Sequence, residues 1–171
     1  MGGADCELVG GGWLAQPVNA WSSLAYLVAA GFVASRRRDA FAVLGAIALV
    51  LVGVGSFAYH GPQPGWAGPL HDASIVVLLG VVLFAVGRRG PPPPVAVVAL
   101  LAGGLLYVMG RTGAPLCSPS SVVQLHAGWH VATAVAAGAV LALSRRASAP
   151  RRSRSGGPSR ASSGRWSRRT P

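Results

Sequence analysis

Apolar blocks alternate with short polar segments along most of this chain. A bilayer core about 30 Å thick is crossed by about 20 helical residues, since each residue adds about 1.5 Å to a helix. Membrane-spanning helices are predicted over about 18–35, 40–60, 70–87, 94–110 and 121–144. The segments between them are rich in Arg, Gly and Pro, which are typical of turns. The pattern therefore predicts an all-α integral membrane protein with about five transmembrane helices.

The fourth predicted helix is the shortest, and Gly103 and Gly104 lie in its middle. A Gly pair in lipid more often permits close packing between helices than marks a break. Pro94 at its start fits a first helical turn, where the missing N–H has no partner within the helix. We therefore expect a continuous helix that approaches a neighbour closely.

Arginine is confined almost entirely to one side of this predicted bundle. The segments after the first and third helices hold five Arg and residues 145–171 hold nine, whereas Arg111 is the only one on the opposite side. Cytoplasmic loops carry an excess of Lys and Arg. We therefore predict that the N-terminal segment, 1–17, is extracytoplasmic, that 18–144 form the membrane domain, and that the C-terminus is cytoplasmic.

Composition supports a membrane protein and locates the net charge. The chain is 51% hydrophobic and only 11% charged, whereas soluble domains carry about 25% charged residues. Residues 1–144 hold six Arg and four acids, a net charge of +2, so most of the overall +11 belongs to 145–171. This Arg-rich tail is predicted to be disordered, and it could either be a solvated positive-inside signal or attract anionic lipid head groups. Such a distribution argues against a nucleic-acid partner.

Polar side chains within the predicted helices are concentrated toward the outer side of the membrane. They are Ser56 and His60 near the end of the second helix, His71 and Asp72 at the start of the third, and His126 and His130 in the fifth. The last two are expected about 7 and about 13 Å below the start of their helix. Because ionisable groups in lipid are costly and usually mark function, this shared depth indicates one site.

The spacing of these residues favours a metal centre. His126 and His130 are four residues apart and so share a helix face, and the same holds for Ser56 and His60. Three imidazoles with an open fourth position form a catalytic zinc arrangement, in which bound water has a pKa near 7. The predicted zinc ligands are His60, His126 and His130.

Two further residues are assigned to chemistry at this predicted zinc site. Asp72 is expected to take or orient the proton of the attacking water. Ser56 is expected to donate to the oxyanion that forms on a carbonyl substrate. His71 could replace one of the three ligands, but we expect it to be interfacial, because Asp72 next to it lies about 100° around the helix.

Other interpretations of the same residues remain open. A His pair on a membrane helix is often a packing or hydrogen-bonding feature, so the chain could be a receptor, metal-binding or scaffold protein without catalysis. A serine-type intramembrane protease could pair Ser56 with His126 or His130, but it leaves His60 and Asp72 without roles.

Four segments also match a known family in the same order. They are Cys6-Glu7 followed by 16–23 (QPVNAWSS), 55–60 (GSFAYH), Asp72, and 117–130 (CSPSSVVQLHAGWH). With these segments the chain resembles the alkaline ceramidases, intramembrane zinc hydrolases related to the adiponectin and progestin membrane receptors. The resemblance covers residues 5 to about 144.

This resemblance implies a function and a division of roles. It implies that His60, His126 and His130 bind Zn²⁺, that Asp72 serves the water, and that Ser56 serves the substrate carbonyl. The implied reaction is hydrolysis of the amide bond of a ceramide-like lipid within the bilayer, which releases a fatty acid and a sphingoid-type amine.

The chain departs from the family's pattern in two respects. Family members have seven spans, whereas five are predicted here, so fewer helices wall the pocket and a homo-oligomer becomes plausible. Animal ceramidases also have a carboxylate-rich calcium site near the N-terminus. Here only Asp5 and Glu7 are charged, and Gln16 stands where an acid is expected, which argues against Ca²⁺ dependence.

Cysteine placement and composition bear on the compartment. Cys6 and Cys117 are the only cysteines and both fall on the predicted outer side, so that a disulfide between them is expected in an oxidising compartment, with two separate thiols as the alternative. Arg without Lys, together with abundant Ala, Gly and Val, favours a GC-rich genome and a bacterial plasma membrane.

Overall fold

A computed structural model describes residues 5–144 of the chain, and this part is helical. The helices are α1 (Pro17–Ser22), α2 (Ala25–Arg36), α3 (Ala40–His60), α4 (Ala67–Arg89), α5 (Pro94–Met109) and α6 (Leu125–Leu143). The predictions for the tail, its disorder and its attraction to lipid head groups, lie outside the described residues.

Four segments of the described chain are long and apolar enough to cross a membrane. They are Pro17–Arg36, which combines α1 and α2, then α3, α4 and α6. The all-α membrane fold is thereby confirmed. Helix α5 is apolar but has 16 residues, which gives it about 24 Å of length against a bilayer core of about 30 Å. The fifth crossing therefore stays a prediction.

The first predicted span is divided, which the apolar pattern did not indicate. Helix α1 ends at Ser22 and α2 begins at Ala25. The hydroxyls of Ser22 and Ser23 each donate a hydrogen bond of 2.9 Å to the carbonyl of Asn19. Serine side chains that bond to nearby backbone in this way compete with the regular helical ladder.

Helix α6 begins four residues later than predicted. Before Leu125, the hydroxyl of Ser121 accepts the N–H of Val123, and the side-chain amide of Gln124 donates to the Ser121 carbonyl at 2.7 Å. These local bonds hold 121–124 in a non-helical conformation. His126 therefore lies in the first turn of α6, rather than about 7 Å along the helix from its start.

Helix α6 is the central element of the bundle. It packs against α2 and α5 and also contacts α1, α3 and α4, while α3 lies between α2 and α4. Its contact with α5 is close because Gly103 is buried there: a Cβ at this position would lie 2.9 Å from the Cβ of Ala132. The close packing expected of the Gly pair is confirmed for Gly103.

Two arginines hold the C-terminal end of α6, opposite the histidines. Arg37 donates through Nε to the carbonyl of Ala142 at 2.9 Å and through a terminal nitrogen to the carbonyl of Ser144. Arg89 donates to the carbonyl of Leu141 at 2.9 Å and to Asp39 at 3.2 Å. Cations stabilise a helix C-terminus by satisfying its free carbonyls. The Arg-rich loops thus share one end of the bundle, as expected, while the sidedness in the membrane stays a prediction.

Candidate metal centre

Three buried imidazoles meet at the end of the bundle opposite these arginines. His60 is the last residue of α3, and His126 and His130 lie one turn apart on α6. Each offers a ring nitrogen, and the three nitrogens lie within 4.8 Å of one another. These residues could therefore hold a metal ion, and the predicted convergence of His60 with the pair on α6 is confirmed.

Every one of these imidazoles has its Nδ1 atom near an oxygen from the N-terminal part of the chain. Nδ1 of His60 lies 2.8 Å from Oε1 of Gln16, and Nδ1 of His130 lies 2.8 Å from Oγ of Ser22. Nδ1 of His126 lies 3.6 Å from Oδ1 of Asp5. Histidines that bind metals almost always direct their other ring nitrogen to such an oxygen, which fixes the ring orientation.

The remaining nitrogen of His60 gives a direct indication of a missing partner. His60 is fully buried, and within the described chain its Nε2 atom has no hydrogen-bond partner. A buried polar atom without a partner costs about 1–3 kcal/mol. A metal ion between the three rings would supply that partner, so the residues present fit a metal.

Ser56 lies where the sequence predicted it. It is buried one turn from His60, and its Oγ lies 2.9 Å from Oγ of Ser23 and 3.4 Å from Nε2 of His130. Because the one hydroxyl proton of Ser23 is donated to the carbonyl of Asn19, Ser56 has its own proton to donate to Ser23, to His130 or to a group in the adjoining cavity.

The structure does not bring Asp72 to the histidines. Its carboxylate is 82% exposed and hydrogen-bonds to Nδ1 of His71 at 2.9 Å. His71 lines the cavity instead and stacks on Tyr59 with ring centroids 4.6 Å apart. The sequence predicted that Asp72 faces the site and that His71 is interfacial, and the structure shows the reverse. Neighbouring helical residues lie about 100° apart, so only one of the two faces inward.

Asp5 supplies the carboxylate that does face the cluster. Its two oxygens lie 3.6 Å from Nδ1 of His126 and 3.9 Å from Nδ1 of His60, and the residue lines the cavity. The sequence prediction missed this role because Asp5 precedes the first helix. The neighbouring Cys6 could have indicated this role, because its expected disulfide with Cys117 brings the N-terminal segment close to the start of α6.

A disulfide between Cys6 and Cys117 holds this N-terminal segment against the loop before α6. The expected bridge is thereby confirmed. Two hydrogen bonds flank it, from the N–H of Cys6 to Oγ1 of Thr112 at 3.2 Å and from the N–H of Leu8 to the carbonyl of Pro119 at 3.0 Å. The bridge therefore fixes Asp5 beside the imidazoles.

Glu7 connects the same segment to α1. Its carboxylate accepts the N–H groups of Val18 and Asn19, both at 2.8 Å, at the start of the helix. Its carbonyl accepts a hydrogen bond of 2.9 Å from Gln16, whose oxygen faces His60. The acid that the family resemblance associates with calcium thus caps a helix and indirectly orients an imidazole.

A cavity of about 220 Å³ adjoins the three histidines. Its lining combines polar groups (Asp5, Ser56, His60, His71, His126 and His130) with Tyr26, Val52, Tyr59, Ile75, Tyr107 and Trp129. The cavity thus combines polar groups beside the three histidines with apolar and aromatic groups on its remaining walls.

Comparison of the chain with protein-family profiles, curated proteins and solved structures finds no match. What the residues themselves establish is an all-helical membrane fold with a buried three-histidine cluster that could hold a metal ion.

Proposed function

We propose that this protein is a zinc-dependent intramembrane hydrolase that cleaves the amide bond of a ceramide-like lipid. The observation that carries the proposal is the convergence of His60, His126 and His130 beside a cavity that Ser56 and Asp5 also line. The resemblance of the chain to the alkaline ceramidases supports the same reaction and the same three ligands.

Zinc suits the donor set best. Three imidazoles without a thiolate are typical of catalytic zinc, which keeps a fourth position open. Bound there, zinc supplies a Lewis acid for a carbonyl oxygen and makes water acidic enough to react near neutral pH. The protein orients the rings through Gln16 and Ser22, both of which contact an Nδ1 atom.

Ser56 and Asp5 have complementary roles in the proposed hydrolysis. Asp5 accepts a proton from the attacking water and later returns it to the nitrogen of the departing amine. Ser56 donates a hydrogen bond to the carbonyl oxygen as negative charge develops on it. Water thus adds hydroxyl to the acyl carbon and a proton to the nitrogen, so that a fatty acid and an amine are released.

Asp72 cannot act on the cavity directly from its exposed position, although the sequence predicted it as the base. Through its hydrogen bond to His71, it fixes the ring of a residue that does line the cavity. We therefore assign Asp72 to positioning His71, and the direct proton transfer to Asp5.

A serine protease fits the geometry less well. Ser56 lies 3.4 Å from Nε2 of His130, which resembles a nucleophile and its base. However, the histidine of a Ser-His-Asp triad directs its other nitrogen to a carboxylate, whereas Nδ1 of His130 faces the hydroxyl of Ser22. The free Nε2 of His60 would also have no function in a protease.

Metal analysis combined with turnover tests the proposal. Purified wild-type protein should contain about one zinc ion per chain, His126→Ala should lose it, and the matched control His71→Gln should keep it. Turnover of a fluorescent ceramide should be lost in Ser56→Ala and Asp5→Asn while zinc is retained. Full zinc content with no hydrolysis across a panel of lipid amides and esters would overturn the enzyme and favour a receptor or scaffold.

A further inference from the structure

The cavity is flanked by α4 and α5. Helix α4 packs on α3 and α6, and α5 packs on α6, but α4 and α5 do not pack extensively against each other within the described bundle. The cavity is lined from both sides, by His71 and Ile75 on α4 and by Tyr107 on α5. The boundary between the two helices is therefore a candidate opening of the cavity toward the lipid.

The size of the cavity shows why such an opening matters. Pockets that enclose a small ligand measure about 300–1,000 Å³, whereas this cavity measures about 220 Å³. A ceramide-like lipid has two long hydrocarbon chains, which cannot fit in that space together with the amide group. The chains must remain in the bilayer while the amide reaches the metal centre.

Ile75 and Tyr107 form the two sides of this opening. Ile75 lies one helical turn from His71 on the same face of α4, and it is 42% exposed although it lines the cavity. The ring of Tyr107 lies 6.0 Å from that of His126 and 5.2 Å from that of Trp129. Each residue thus contacts both the inside of the cavity and its surroundings.

The surface of α4 beyond this opening is apolar. Large hydrophobic side chains are exposed at Leu79 and Leu83, which follow Ile75 at four-residue spacing on one face of the helix. Exposed apolar residues are expected on any helix in lipid, so they identify no site by themselves. Their continuity, through Ile75, with a cavity that three imidazoles line is what distinguishes this face.

We propose that the gap between α4 and α5 is a lateral portal for a hydrocarbon chain of the lipid substrate. Ile75 and Tyr107 set which chains can extend from the amide group into the bilayer. This inference rests on the proposed function for its substrate, but the occupation of the gap by a lipid chain can be measured without catalysis.

A narrowing substitution tests the portal kinetically. Ile75→Trp should raise KM for a long-chain lipid amide about tenfold more than it raises KM for a short-chain, water-soluble amide, while the zinc content stays unchanged. Val76→Trp is the matched control, because Val76 is the next residue on α4, is 68% exposed, and does not line the cavity. An equal effect of both variants, or no effect of Ile75→Trp, would overturn the portal while the hydrolase stands.

Photochemical labelling provides a test that needs no turnover. A lipid amide with a diazirine on its acyl chain, irradiated in vesicles with the zinc-loaded protein, should label α4 and α5 around Ile75 and Tyr107. The Ile75→Trp variant should lose that labelling. Labelling at the gap without hydrolysis of any amide would support the portal and reject the enzyme.

Two other outcomes of the labelling would reject the portal. A second crevice, apolar and about 360 Å³, lies between α2 and α3 and is bordered by Trp21, Phe57 and Trp66, away from the histidines. Labelling confined to this crevice would place the hydrocarbon chain of the lipid there and not between α4 and α5. Efficient oxidative cross-linking of Ile75→Cys chains into dimers would show that a second copy fills the gap instead.

Discussion

The side-chain oxygen of Gln16 lies 2.8 Å from Nδ1 of His60, although the two residues are 44 positions apart. The amide nitrogen of Gln16 donates to the carbonyl of Glu7 at 2.9 Å, which fixes the direction of the amide. Its oxygen therefore accepts the Nδ1 proton of His60, and Nε2 is left as the nitrogen without a proton. A neutral residue just before α1 thus determines which nitrogen His60 offers to a metal.

Replacing Gln16 should weaken metal binding without removing a ligand. Gln16→Leu deletes the acceptor that holds the His60 ring, and the loss of such a partner typically costs about 10- to 100-fold in metal affinity. The zinc dissociation constant can be measured by competition with a chelator. Ser74→Ala is the control, since Ser74 is buried but bonds only to the carbonyl of His71 in the described structure. An unchanged affinity in Gln16→Leu would show that His60 is not oriented by this contact.

The two aspartates should respond differently to the same isosteric substitution. Asp5→Asn removes the carboxylate that faces His126 and His60, so turnover should fall by about 100- to 10,000-fold, as for loss of a general base. Asp72→Asn affects the cavity only through His71, so turnover should fall by less than about tenfold. Steady-state kinetics on a fluorescent ceramide, with zinc content as the control, compare the two. The reverse order would restore the base role that the sequence predicted for Asp72.

Loss of the disulfide should affect both stability and the metal centre. The bridge closes a separation of 111 residues, and removal of a native disulfide typically costs about 2–5 kcal/mol. Because Asp5 and Glu7 flank Cys6, Cys117→Ser should also weaken zinc binding. Thermal unfolding and chelator competition measure the two effects.

The two cysteines provide their own control for this prediction. Cys6→Ser and Cys117→Ser should lower the melting temperature and the zinc affinity equally. The double variant should lower them no further, because all three variants remove the same disulfide bond. If reductant or these variants leave both the melting temperature and the zinc affinity unchanged, the N-terminal segment is held by its hydrogen bonds instead.

The parts of the site that lie on helices could be predicted because helix periodicity is local. Four-residue spacing places Ser56 beside His60 and pairs His126 with His130, whatever the rest of the chain does. The topology of hydrophobic segments then brings the ends of α3 and α6 to the same end of the bundle. That is why the three histidines could be combined before any coordinates were known.

The contacts around the metal centre could not be predicted in the same way. Asp5 is held beside the imidazoles by a disulfide, Gln16 is held by Glu7, whose carboxylate caps α1, and Ser22 contacts His130 from the interruption between α1 and α2. Each of these depends on tertiary partners, and none produces a periodic pattern. The choice between His71 and Asp72 depended on helix rotation, and the spacing of neighbouring residues states only that the two differ by about 100°.

The adjacent glycines of α5 provide a matched test of how that helix is held. Gly103 faces α6, where an added Cβ would lie 2.9 Å from Ala132 and 3.3 Å from the ring of Trp129, whereas a Cβ added at Gly104 would contact no other element of the described structure within 4 Å. Gly103→Leu should therefore destabilise the protein by about 1–3 kcal/mol through overpacking. It should also lower turnover, because Trp129 lines the cavity.

Gly104→Leu makes the same change in helix propensity but should leave stability and turnover close to wild type. Melting temperature in detergent and turnover, measured on both variants, separate packing from propensity. Equal destabilisation by the two substitutions would mean that α5 is not held against α6 at Gly103. The wall that Tyr107 and Trp129 form beside His126 would then need another support.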